Sequence, residues 1–189
     1  MSEANKSPDF AALVRPGAIT EVVGRLSSGR TSLLVACLGH LTREGGVVAL
    51  VDTDHAFDPG SAARAGLDLR RLLWIRCAGR RPVALRATDL LVRCPGFALI
   101  GLDVGESPPR LSLAAAFRLK LAARRSGAAL LVIGARRIMG AGASLVFESE
   151  REALVWSGPG ATPTRLARMR SRLIVRRGRG TGLALEWSA

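Results

Sequence analysis

The sequence has no tyrosine, and five phenylalanines with three tryptophans bring aromatic residues to only 4% of it. That scarcity weighs against a single-strand-binding platform, which needs aromatic faces for successive bases. Lysine is nearly absent: Lys6 and Lys120 are the only two, so the basic charge is carried by arginine. Acids are short as well, 15 against 28 basic residues, which leaves a formal charge of +13. A polyanion or an acidic protein surface is the partner such a balance favours, although arginine- and alanine-rich usage also contributes by composition alone. Cys37, Cys77 and Cys94 are odd in number, far apart and set in apolar segments. Neither a disulfide framework nor a zinc site follows from that spacing, and three buried thiols are expected. No apolar run approaches the roughly 18 residues of a membrane span, and the opening MSEANKSPDF has no signal-like apolar core. A cytoplasmic protein without a membrane partner is expected.

What is present points to a packed α/β chain. With 189 residues and 48% apolar content the sequence can bury a full core. One domain over residues 17–189, behind a flexible segment at 1–16, is expected. Short apolar runs at 18–23, 47–52, 72–76, 98–102 and 128–133 read as parallel strands covered on both faces. Between them 31–43, 60–65, 82–93 and 111–125 read as helices, the last with Leu111, Ala115, Leu119 and Ala122 at helical spacing. Beyond residue 133 the pattern changes to short strands at 144–148, 153–157, 172–176 and 183–187, with a Gly/Pro loop at 158–164. The fold class is α/β, a mainly parallel sheet with covering helices and a C-terminal antiparallel extension.

Residues 24–32, GRLSSGRTS, form a glycine-rich loop between a strand-like run and a helical one, the setting a phosphate-binding loop requires. In such loops backbone N–H groups wrap phosphates at a helix N-terminus. A lysine reaches the β/γ-phosphates, and a Ser/Thr hydroxyl, here Thr31, helps hold Mg²⁺. That lysine is missing. Arg30 stands in its place, keeping the charge but substituting a longer planar fork for a compact ammonium.

The loop GRLSSGRT, the segment VDTDHAFDPGSAARAGLDLRRLLWIR at 51–76 and the strand FALIGLD ending in Asp103 together resemble, in order and spacing, the ATPase core of RecA over about residues 17–140. The resemblance implies a RecA-like P-loop core with Gly24, Gly29, Arg30, Thr31 and Ser32 around phosphates. It makes Asp103 the Walker B acid, Thr31 and Asp103 the holders of Mg²⁺, and Asp54 the acid that orients the attacking water. The chain departs from the family pattern at four points. Arg30 replaces the lysine. Asp54 stands where the family has a glutamate, one methylene farther back, and a misplacement of about 1 Å costs on the order of 10²-fold in rate. Asp58 matches an adenine-contacting acid, but Ser61 replaces the aromatic residue that would stack on the base. Ala135, in VIGARRIMG, replaces the glutamine that couples nucleotide state to the second DNA-binding loop. Each departure touches a different step, so weak or absent hydrolysis is expected, with ATP and Mg²⁺ as cofactors or none at all.

Among shortened RecA relatives the chain is most similar to the ImuA proteins, on the segments LLWIRC and SLVFESEREALVWSGPG and the arginine-rich tail. That resemblance implies an accessory role in SOS mutagenesis by translesion synthesis. Its partners would be RecA, a Y-family polymerase homologue of ImuB type and an error-prone replicative polymerase, with DNA as a further contact. A DNA-dependent ATPase of RecA type and a SulA-like division inhibitor are the competing readings.

Arg165, Arg168, Arg170, Arg172, Arg176, Arg177 and Arg179 crowd the C-terminal region, and SRLIVRR sets Arg172 and Arg176 opposite Leu173 and Val175. Two readings fit: an edge strand protected by charge, or contact with DNA or an acidic partner, with Arg136 and Arg137 as neighbours. His40 and His55 lack triad or metal partners at usable spacing and read as structural. Trp74, Trp156 and Trp187 occupy strand-like runs and read as packing residues.

Overall fold

The computed structural model describes residues 10–159, 163–178 and 183–188, the last six as backbone. Arg179 and the side chain of Trp187 lie outside the described residues. An eight-stranded sheet runs in the order β3-β2-β4-β5-β1-β6-β7-β8. Its strands are β1 (Ile19–Gly24), β2 (Val47–Asp52), β3 (Leu72–Arg76), β4 (Phe97–Asp103), β5 (Ala129–Gly134), β6 (Leu145–Ser157), β7 (Arg165–Arg177) and β8 (Leu183–Ser188). The helices are α1 (Phe10–Leu13), α2 (Arg30–Arg43), α3 (Pro59–Arg64), α4 (Arg81–Arg93) and α5 (Leu113–Ser126). Pairing is parallel from β3 through β6 and antiparallel from β6 through β8.

A parallel sheet covered on both faces buries both alternating sets of side chains, so its strands read as continuous apolar runs. Val48, Leu50, Leu99, Leu131 and Ile133 enter one layer with Leu33, Leu34 and Leu38 of α2. Ala49, Val51, Ile100, Leu102 and Leu130 enter the other with Leu91 of α4 and Ala116 and Leu119 of α5. Helix α2 lies so close to β4 that a Cβ on Gly101 would come within 2.6 Å of a Leu34 methyl. Glycine there is what lets the helix that carries Arg30 settle on the sheet.

The expected parallel elements form with small boundary shifts, and the differences cluster at the two ends. The stretches 144–148 and 153–157 are one strand, β6, whose first half runs parallel to β1. The parallel sheet therefore gains a strand before the antiparallel part begins, and Leu145, Val146 and Phe147 are buried accordingly. Strand β7 is not an edge: β8 pairs with it from Arg168 to Leu173. The charge-protected-edge reading falls for Arg172, which faces Ala184 of β8, while Arg176 lies beyond that pairing. Packing also begins before residue 17, because Leu13 and Val14 are buried in the α2 layer and Thr20 Oγ1 donates to Leu13 O at 2.7 Å. The remainder of the expected flexible segment, residues 1–9, lies outside the described residues. Of the three thiols, Cys37 and Cys77 are buried but Cys94, where α4 ends, is exposed. Among the described residues no helix is long and apolar enough to cross a membrane.

Candidate phosphate-loop site

Strand β1 ends at Gly24 and α2 begins at Arg30, so the loop between them turns at the C-terminal end of a central strand, where open α/β sheets place ligands. The turn uses two left-handed residues, Ser27 at φ 60° and Gly29 at φ 91°. Gly29 caps α2 without a side-chain hydrogen bond, so the first-turn N–H groups keep the anion-seeking character of a helix start. Strand β6 holds the loop from the side: Ser149 Oγ donates to Ser28 O at 2.8 Å. A Cβ on Gly24 would come within 2.6 Å of Ser149 O, which explains the glycine.

Arg30 turns inward. Its side chain is 7% exposed, Nη1 donates to Gly24 O, and Nη2 makes an ion-paired hydrogen bond to Glu106 Oε1. The guanidinium thereby ties the first residue of its own loop to the β4–α5 connection. Sequence reasoning missed Glu106, although it is the one acid between Asp103 and Glu148 and thus the available counter-charge for that half of the chain. Ser28 Oγ and Arg30 Nε are buried without a hydrogen-bond partner among the described residues. The loop therefore keeps donors that phosphate oxygens could accept from, and the residues fit a nucleotide only in part.

The acids are arranged as follows. Asp103 ends β4 and accepts from Gly105 N at 2.9 Å. Burial pushes its carboxyl up to about 6, against the opposing pull of that hydrogen bond and of Arg30. Asp54 is held by Arg81 at the start of α4, through contacts of 3.0 and 3.1 Å to its two oxygens. Asp58 is the N-cap of α3, accepting from Gly60 N at 3.3 Å and Ser61 N at 2.9 Å. Hydrogen bonding from Ser61, first of all, keeps its carboxyl below the usual range. Asp52, not singled out from sequence, orders the β2–α3 connection by accepting from Ala56 N, Phe57 N and Trp74 Nε1. Among the described residues no three His, Cys, Asp or Glu gather to hold a metal.

Thr31 and Ser32, in the first turn of α2, line a cavity of about 370 Å³ whose other wall is the β6–β7 hairpin, with Leu154, Trp156 and Met169. Trp156 is half exposed on that wall instead of packed in a core. A larger cavity of about 850 Å³ lies between Arg25, Glu106, Ala135 and Glu148.

The remaining arginines do not converge on the loop. Arg136 donates to Pro108 O at 2.7 Å, and Arg137 pairs with Glu21 at 3.7 Å. Glu21, buried in β1 and also missed from sequence, accepts from Ile138 N and Met139 N, so β1 itself holds the segment after β5. On β7, Arg172 pairs with Glu152 at 3.2 Å, Arg176 with Glu148 at 2.7 Å, and Arg177 donates to Gly140 O at 2.8 Å. Arg165, Arg168 and Arg170 are exposed on the same strand. His55 Nδ1 accepts from Arg76 Nε at 3.0 Å and His40 lies 3.4 Å from Glu44, both structural contacts.

Residues 11–123 match the family described as RecA N-terminal domain. The chain belongs to that family. It is 40% identical over 87 residues to Protein RecA of Ruegeria pomeroyi, covering 46% of this chain and 25% of that protein. It is 37% identical over 87 residues to Protein RecA of Chlorobaculum parvum, with 46% and 25% covered. Protein RecA of Prochlorococcus marinus strain MIT 9211 is 37% identical over 98 residues, with 51% and 26% covered. The chain thus spans about a quarter of the length of the curated relatives it matches. The family match stops within α5, ahead of the β6–β7 hairpin and its arginines.

Proposed function

We propose that this chain is a RecA-like accessory protein of ImuA type in DNA-damage-induced translesion synthesis. It works through contacts with RecA and a Y-family polymerase homologue, in a complex with an error-prone replicative polymerase, and DNA is a further contact. ATP turnover is not its working step. One observation carries this reading: the Arg30 guanidinium is buried inside its own loop, bonded to Gly24 O and Glu106. An internal ion pair then does the holding that phosphates do in a working loop. Asp54 is engaged by Arg81 through both carboxylate oxygens, which weighs against the ATPase alternative. When ATP and Mg²⁺ bind, the first-turn N–H groups, Ser28 Oγ and Arg30 Nε would hold phosphates, and Thr31 and Asp103 the metal, which neutralises phosphate charge.

The test mixes the purified chain separately with RecA and with the polymerase homologue and follows association by light scattering after gel filtration. Association with both is expected, together with DNA-stimulated ATP hydrolysis no faster than that of the Asp54→Ala variant. Association with neither, or turnover that Asp54→Ala abolishes, overturns the reading. Cell filamentation on expression, without a change in mutagenesis, selects the division-inhibitor alternative.

A further inference from the structure

Outside both cores stands a stripe of large apolar side chains. On α5, Leu113, Phe117 and Leu121 recur every four residues, which places them on one face, and they are 60%, 46% and 48% exposed. The other side of α5, with Ala116, Leu119, Ala122 and Ala123, is buried in the sheet-facing core. A surface helix needs one apolar face, and α5 has two. Helix α4 packs beside it and adds Val83 and Leu90, also exposed and seven residues apart. The two helices meet electrostatically as well: Arg93 hydrogen bonds chiefly, with Arg118 of α5 contributing, hold the Asp89 carboxyl below its usual range.

The surroundings of the stripe are basic. Asp89 is the single acid on α4 and α5, and it is already bonded to Arg93 at 2.9 Å. Arg86, Arg118, Arg124 and Arg125 are exposed on the same helices. Lys120 Nζ lies 5.9 Å from the Phe117 ring centre, a cation–π contact that keeps positive charge beside the apolar side chains.

We propose that the α4–α5 face docks an acidic amphipathic helix of a partner protein. The helix seats its apolar side chains on Leu113, Phe117 and Leu121 and sets its carboxylates against the flanking arginines, the helix-on-surface mode of recognition. Charge selects this occupant. A second copy of the chain would oppose like charges, and a phosphate backbone would leave the apolar stripe uncovered. The face is separate from the Arg30 loop and stands whether or not the mutagenesis reading does.

The test is fluorescence anisotropy with two labelled synthetic helices of about 18 residues sharing one leucine face, glutamate filling the other positions in one and lysine in the other. The glutamate helix is expected to bind, more weakly as salt rises from about 50 to about 300 mM, and the lysine helix not to bind. Leu113→Ser, Phe117→Ser and Leu121→Ser combined should weaken binding by about tenfold or more while thermal unfolding stays as in the parent. Arg124→Glu with Arg125→Glu leaves the apolar stripe whole and should weaken it too, which covers the case of a triple variant that fails to fold. Equal binding of both helices, or unchanged binding by both variants, overturns the proposal. So does a dimer in sedimentation that the triple variant dissolves. Capture by phosphatidylserine vesicles with no glutamate-helix binding overturns it as well.

Discussion

At position 30 a buried guanidinium needs acceptors on two sides, and Gly24 O and Glu106 supply them. Stripping a buried charge of its partner costs several kcal/mol, but the Glu106 side chain is 48% exposed and solvent screens part of the pair. Glu106→Gln is therefore expected to lower stability by on the order of 1–2 kcal/mol in urea unfolding. The same change frees the loop. With Arg30→Lys added, ATP at 100 times its dissociation constant should contribute about 2.7 kcal/mol, read as a rise in Tm that the parent lacks. Asp103 sets a pH dependence of opposite sign to that of a salt-bridged acid. Its carboxyl is raised from 3.8 to about 6, mainly by burial. Between those values the folded chain keeps a proton that the unfolded chain has lost, so this contribution to stability falls as pH rises through the window. Asp103→Asn keeps an acceptor for Gly105 N. It should raise Tm near pH 7 by the equivalent of on the order of 2 kcal/mol and flatten the profile between about pH 4 and 6.

Two elements behave differently from their sequence patterns. Strand β6 looks like two short antiparallel pieces because Glu150, Arg151 and Glu152 interrupt its apolar residues. Those charges sit where β6 leaves the parallel sheet, while Leu145, Val146 and Phe147 lie buried beside β1. Phe147→Ala is expected to cost about 3–4 kcal/mol in chemical unfolding, which a half-solvated hairpin strand would not show. Helix α4 ends at Arg93, leaving Cys94 in the solvent-facing turn that follows. Iodoacetamide should modify Cys94 in the folded chain and spare Cys37 and Cys77, whose thiols burial pushes up. Mass spectrometry of the alkylated peptides reads the result.

Across the whole molecule the charge of +13 is less available than the composition suggests. Arg30, Arg136, Arg137, Arg172, Arg176 and Arg177 all have partners within the chain. Six phosphate contacts would give log affinity against log salt a slope of about −5. DNA binding by this chain, measured by anisotropy on a labelled duplex, is expected to show a shallower slope. Arg30→Ala should leave that slope unchanged, since the buried side chain is out of reach of a duplex backbone.

The α/β class and the glycine-rich loop between β1 and α2 were legible in the sequence because each is local. Apolar runs mark doubly covered strands, and glycines mark the turn. The tertiary structure alone decided what Arg30 does, which way β6 runs and whether β7 is an edge. Arg30 and Glu106 are 76 positions apart. No periodicity links them, and only the shared C-terminal rim of β1 and β4 brings the guanidinium and the carboxylate together. The direction of β6 likewise depends on which sheet edge it joins. That edge is β1, the strand that ends in the loop.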